Sequence, residues 1–294
     1  MNSLAPIVIF TYNRPKNLSE LLNSLQDNDL ANNSIVYFFV DFPKNIKDKN
    51  ANDEVLKIVN RSWKFKEKYI VLRKENLGIR DNIVDGVSTI LKNYEKIIVL
   101  EEDLVVGKYF LEFMNTALTK FKNQSNVWHI SGYNYKVNNP FGNSSFLTKH
   151  MSCWGWGTWR ENWLCLDKNM LNNINIEQIK EFNFNNLIKS NYEQLHSNQM
   201  GKIKTWAIFW QQTIFLNKGY CLMPTRSLVV NTGFESGEHG SKTMKNNFKA
   251  NDKKIKYFPA TYRENNLNNL LLKFYFLKLK ILDYIKYHLK KLIK

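Results

Sequence analysis

The sequence predicts an α/β fold, a sheet flanked by helices, with an amphipathic helix at the C-terminal end. Two observations carry this expectation. Short β-branched or aromatic runs alternate with segments of helical periodicity across residues 7–100, and from residue 266 onward apolar residues recur at steps of three or four. With 294 residues, 44% hydrophobic and 23% charged, the chain can bury a sizeable core, which excludes a disordered protein.

The elements follow in order. Ile7 to Phe10 is an apolar run that ends at Thr-Tyr-Asn-Arg-Pro, and Leu18, Leu21, Leu22 and Leu25 then mark a helix over Asn17 to Leu25. Ile35 to Val40 reads as a second strand ending at Asp41, and Asp53 to Val59 as a second helix. Tyr69 to Leu72, Arg80 to Leu91 and Lys96 to Leu100 continue as strand, helix and strand, and the last strand runs into Glu101-Glu102-Asp103. Such alternation implies parallel strands joined by right-handed crossovers. Beyond Tyr135 the pattern fades into a polar loop, a Trp-rich segment, an Asn-rich helical region over 175–198 and a short strand near Leu228 to Val230. Divisions at residues 1–134 and 135–262, with a helical extension over 263–294, are expected.

Lys and Arg number 42 against 26 Asp and Glu, a net charge of +16, which makes nucleic acid, anionic lipid or a phosphorylated substrate the partners to weigh. The lysines are scattered through 44–49, 64–74 and 242–256 and form no compact base-reading face, so no nucleic-acid partner is expected. Three cysteines, Cys153, Cys165 and Cys221, suit neither a disulfide framework nor a zinc site. The first apolar run is too short for a secretory leader, and no stretch is long enough for a bilayer span, so the cytoplasmic side is the expected location.

Ligands of open α/β sheets gather at the carboxyl ends of the strands, and here those ends carry Thr11 to Arg14, Asp41 and Glu101 to Asp103. Three successive carboxylates at the mouth of a buried strand repel one another. A divalent cation relieves that repulsion; a solvated acidic turn is the alternative.

The segment Val99-Leu-Glu-Glu-Asp-Leu-Val-Val-Gly-Lys-Tyr-Phe-Leu-Glu-Phe-Met114 resembles the metal-binding turn and following helix of GT-A-fold glycosyltransferases. It is similar to bacterial enzymes of surface-polysaccharide (lipopolysaccharide and capsule) biosynthesis and, more distantly, to the N-acetylglucosaminyltransferase I family. Further segments agree in order: Phe10 to Pro15, Asn76 to Arg80, Ser131 to Tyr135, Cys153 to Trp159, and Ser227 to Glu235 with Gly237 to His239. The resemblance implies a mixed GT-A sheet and an inverting transfer from a UDP-sugar to a surface glycan or a lipid-linked acceptor. It also implies Mn²⁺ or Mg²⁺ held by Asp103, with His239 reaching the metal or the diphosphate. Thr11, Arg14, Asp41 and Arg80 are placed with the nucleotide, Glu101 and Glu102 beside the metal and donor sugar, and Trp154 and Gly155 in the donor or acceptor pocket. Trp159 is left to the core on its helical spacing to Trp163.

Lys204 to Trp210 departs from many relatives, which carry an Asp directly after the first tryptophan where this chain has Ala207. The general base is then unassigned, with Glu235 and Glu161 as candidates. Two other functions fit parts of the sequence: a nucleotidyltransferase, although Thr11 to Pro15 is not a Gly-rich phosphate loop, and a non-catalytic protein binding anionic membrane or nucleic acid. The C-terminal stripe, Leu267, Leu271, Phe274, Leu277, Ile281, Ile285, Leu289 and Leu292, is accompanied by seven lysines and one aspartate over 266–294. That pattern suits a helix lying on the inner membrane face. Packing on the catalytic domain or on a second copy in a homodimer is the alternative.

Overall fold

The computed structural model describes residues 3–135, 137, 140, 142–167, 175–184, 187, 190–233 and 249–292. Its centre is an eight-stranded sheet. The strands are β1 (Ile7–Thr11), β2 (Ile35–Val40), β3 (Glu67–Leu72), β4 (Lys96–Glu101), β6 (Val127–Ser131), β7 (Ser145–Thr148), β8 (Trp156–Trp159) and β9 (Tyr220–Pro224), in the spatial order β3-β2-β1-β4-β8-β6-β9-β7. A two-stranded ribbon of β5 (Leu104–Val106) and β10 (Val229–Asn231) is separate from it.

β1 to β4 are mutually parallel, as the alternation requires, with Ile7 opposite both Val36 and Ile98. The sheet turns mixed at β8, which runs antiparallel to β4 and to β6, while β9 is parallel to β6 and β7 antiparallel to β9. Residues from both sides of position 134 therefore build one sheet. The Trp-rich segment thus supplies a central strand, and Trp159, which closes it just before a short helix ending at Trp163, is buried in the core. Its indole Nε1 donates to the Leu118 carbonyl at 3.0 Å.

Side chains alternate across the strands, and this divides the core into two layers. Ile7, Ile9, Phe38 and Leu100 pack with α1 (Pro15–Gln26), α2 (Ile46–Asn60) and α4 (Phe110–Lys120). Val8, Phe10, Phe39 and Val99 pack with α3 (Gly78–Leu91), α5 (Arg160–Trp163) and α8 (Ala207–Leu216). Pro15 opens α1 at a position where its missing N–H costs nothing. α2 begins seven residues before the segment its apolar spacing marks, because the Asn45 side chain caps the Asp48 N–H at 3.0 Å. The Asn-rich region divides into α6 (Ile176–Phe182) and α7 (Ser190–Gln199); between them Phe184 takes a positive φ of 51°.

The C-terminal helix, α9 (Asn266–Leu292), docks through Leu272 and Phe276 onto Phe146, Phe184 and Met223. Among the described residues no helix is long and apolar enough to cross a membrane.

Candidate functional site

Three loops meet where the parallel strands end. The first follows β1. Arg14 precedes α1 without using its side chain as a cap, so its guanidinium is free to reach the next loop over, where Nη1 lies 2.6 Å from Asp103 Oδ2. Such a charge-assisted bond is strong for its length.

The second loop is the acidic turn. Glu101 ends β4 opposite Phe10, and Glu102 turns inward, accepting from Thr11 Oγ1 at 2.5 Å and the Tyr12 N–H at 2.8 Å. Burial pushes the Glu102 carboxyl above its usual range, opposed by these two donors. Glu102 thereby ties β1 to β4 and is turned away from the open side. Burial also pushes Glu101 up, to about 8, with the Asp103 charge adding to the rise and Arg14 opposing it. Asp103 is raised by burial and held back by Arg14.

The β5–β10 ribbon brings a third segment against this turn. The Thr232 N–H and hydroxyl both donate to the Asp103 carbonyl, at 2.7 and 3.1 Å, and Asn17 Nδ2 donates to the Thr232 hydroxyl at 2.9 Å. Gly233 then sits directly over the ion pair: a Cβ there would fall 2.2 Å from Asp103 Oδ2 and 2.9 Å from Arg14 Nη1. Only glycine allows so close an approach. The start of the segment resembling a closing loop is thus anchored to the acidic turn. Glu235 and His239 lie outside the described residues.

Asp41, at the end of β2, is buried and fully engaged. Its Oδ1 accepts from the N–H groups of Phe42 and Leu77 at 3.0 and 2.9 Å, and its Oδ2 from Gly78 at 2.9 Å. It fixes the entry to α3 and bounds an open cleft of about 410 Å³ that also involves Pro43, Asn52, Leu72 and Arg73. Arg80, one turn into α3, pairs instead with its neighbour Asp81, Nε to Oδ1 at 3.0 Å. A cleft of about 470 Å³ beside Tyr109 and Lys254 includes none of these residues.

On the other flank, half-buried Trp154 packs edge-on against Tyr133 with ring centroids 4.5 Å apart. Cys153 lies close enough to Glu101 for that charge to add to the burial that pushes its thiol up. Gly155 is buried, with φ +64°, and a Cβ there would meet Val229 Cγ2 at 2.8 Å and Phe110 Cε2 at 3.1 Å. Its lack of a side chain lets Val229 and Phe110 pack close against its backbone.

Glu161 stands apart from these residues. Because β8 runs antiparallel to β4, with Trp156 opposite Val99 and Trp159 opposite Lys96, the chain leaves β8 at the edge where β4 begins. Exposed Glu161 on α5 therefore stands at the opposite edge from Glu101 to Asp103. Ala207, by contrast, opens α8, which leads into β9 beside the start of β6, so the helix begins on the site's side of the sheet.

The structure thus brings Thr11, Arg14, Glu101, Glu102 and Asp103 together, with Asp41 on the neighbouring loop and Cys153, the residue before Trp154, near Glu101. Residue-by-residue reading missed Tyr133, Cys153 and Gly233, although the quoted motifs contain all three. Among the described residues no three His, Cys, Asp or Glu side chains are grouped to hold a metal ion unaided. Asp103 and Glu101 offer hard carboxylate oxygens of the kind a divalent cation takes.

No family model and no curated protein matches the chain. Among solved structures, S. aureus TarS 1–349 is similar over 79% of this chain and 61% of that one, at 14% identity and a TM-score of 0.44. The same fragment in complex with UDP-GlcNAc is similar over 81% and 61%, at 16% identity and a TM-score of 0.44. A longer S. aureus TarS structure aligns over 78% of this chain and 36% of that one, at 14% identity. This chain spans about three fifths of the fragment and about a third of the longer protein.

Proposed function

We propose that this chain is a glycosyltransferase that takes a sugar from a nucleotide diphosphate, UDP by motif resemblance, and seats the diphosphate at Arg14 and Asp103. One observation carries the reading: a forked cation and an acidic turn meet at the carboxyl edge of the parallel strands, beside the aromatic pair Trp154 and Tyr133. Arg14 matches phosphate oxygens in charge and shape. The aromatic pair offers flat apolar surface to a sugar ring.

Asp103, with Glu101 beside it, would hold Mn²⁺ or Mg²⁺, and the metal would offset charge on the departing diphosphate. The contact with Asp103 engages Arg14 Nη1, and the guanidinium carries further N–H donors for a phosphate. In the transfer, the acceptor hydroxyl oxygen bonds to the anomeric carbon as the bond from that carbon to the diphosphate oxygen breaks, its electron pair leaving with the diphosphate. An inverting outcome needs a base for the hydroxyl proton on the acceptor side. Glu235 remains the candidate, since Glu161 stands across the sheet. A surface glycan or a lipid-linked sugar is the proposed acceptor.

Calorimetry with UDP, with and without Mn²⁺, tests the reading, followed by donor hydrolysis over a panel of nucleotide sugars. Metal-dependent UDP binding that is lost in Asp103→Asn, with hydrolysis of one UDP-sugar, is expected. Normal binding by Asp103→Asn would remove the metal assignment; release of a sugar 1-phosphate, the leaving group of attack at the α-phosphate, would point to a nucleotidyltransferase, and no nucleotide binding to a non-catalytic protein.

A further inference from the structure

α9 carries two apolar faces, and the fold uses only one. Leu272 and Phe276 are buried against Phe146, Phe184 and Met223. On the outward side Leu267, Leu270, Phe274, Leu277, Ile281 and Ile285 remain exposed, with Phe274 at 59%, Ile281 at 51% and Ile285 at 47%. A helix docked on its own domain needs a single stripe, so this second stripe requires a different occupant.

The charge pattern selects that occupant. Residues 266–294 hold seven lysines and one aspartate, a net +6. Exposed Lys278 lies within the outward stripe and Lys280 at its margin, and side chains of this length can lay their stems on apolar surface while the ammonium reaches outward. A basic helix of this kind fits an interface that is apolar below and anionic above. A second copy of this chain would bring an equal positive charge to the same contact, which disfavours it.

The docked face also locates the surface. Tyr135 packs on Phe276 and Tyr275, with centroids 4.8 and 5.5 Å apart, and on Tyr133 at 5.3 Å; Tyr133 in turn packs on Trp154. A continuous row of rings joins the helix to the aromatic wall of the candidate site.

We infer that the outward face of α9 is a docking surface for an anionic lipid bilayer and holds the catalytic edge beside it. Lipid binding stands on the helix alone. That the docking presents a lipid-linked acceptor to the site rests on the glycosyltransferase reading.

The experiment is co-sedimentation of the full chain with vesicles of phosphatidylcholine alone or of phosphatidylcholine with phosphatidylglycerol, whose negative surface potential attracts basic segments. Binding to the anionic vesicles, weakened by salt, is expected. Phe274→Glu with Ile281→Glu and Ile285→Glu should weaken it at least tenfold, with the melting temperature and the Leu272–Phe276 docking unchanged. Lys278→Gln with Lys280→Gln should lower the anionic preference by about fivefold per lysine. Full-length protein that ignores anionic vesicles at low salt overturns the inference, as does undiminished binding by a folded triple variant. So does a dimer in light scattering that the triple variant converts to monomer, since a second copy would then cover the face. None of these readouts uses nucleotide, so loss of the donor reading and loss of the lipid surface are seen separately.

Discussion

Arg14 and Asp103 form a 2.6 Å ion pair that bridges the loop after β1 and the turn after β4, and Gly233 closes over it. The pair holds a carboxylate that burial and the neighbouring Glu101 would otherwise disfavour. Removing either partner should therefore move stability in opposite directions. Asp103→Asn relieves the repulsion and should leave the melting temperature unchanged or raise it. Arg14→Met strands two carboxylates and should lower stability by about 1 kcal/mol, a modest figure because Arg14 is a third exposed. Thermal melts of the two variants without nucleotide check the order, which reverses if the turn needs Asp103 to fold.

Asp41 accepts from three backbone N–H groups with two oxygens. Asp41→Asn leaves one oxygen and turns an NH₂ toward an N–H donor, at an expected cost of about 1–3 kcal/mol. Hydrogen exchange should quicken at the Leu77 and Gly78 amides, while β4 stays protected. Uniform acceleration would show that the carboxylate supports the whole sheet instead of this one loop.

His150 is buried between Tyr135, whose hydroxyl lies 2.6 Å from its Nε2, and Phe276 of α9; burial holds its pKa down at about 4. His129, stacked on Trp156, is likewise held down to about 3. A depressed histidine binds its proton more readily in the unfolded chain, so both contribute stability that is present above pH 6.5 and falls away as the pH drops through the folded values. Stability should fall by up to roughly 1.4 kcal/mol per pH unit for each histidine across that window. His150→Gln should remove about half of this slope, and exchange of α9 amides should rise first on acidification of the native protein. An unchanged slope would show that His150 is solvated.

Much of the first half of the sheet was legible because it is written locally. β1 to β4 and their helices follow from apolar period, and the placement of Arg14, Asp41 and Asp103 at strand ends follows from the rule for parallel sheets. β6 to β9 were not read in this way. β6 to β8 are as buried as β1, but their runs Val-Trp-His-Ile-Ser, Ser-Phe-Leu-Thr and Trp-Gly-Thr-Trp mix polar residues or glycine into short segments, so no continuous apolar run marks them.

The sequence by itself determined that the acidic turn ends a buried strand and that the last helix is amphipathic and basic, since period and charge need no partner to be read. Tertiary structure alone decided which carboxylates face the open side. Glu102 is turned inward to Thr11 because β1 pairs beside β4, Glu161 is carried to the far edge because β8 runs antiparallel, and Gly233 must lack a side chain because β10 returns over Asp103. It also decided which stripe of α9 is covered. Two apolar faces on one helix look alike in the chain, and only the position of Phe146 and Met223 determines that Leu272 and Phe276 are buried while Phe274 and Ile281 remain outward.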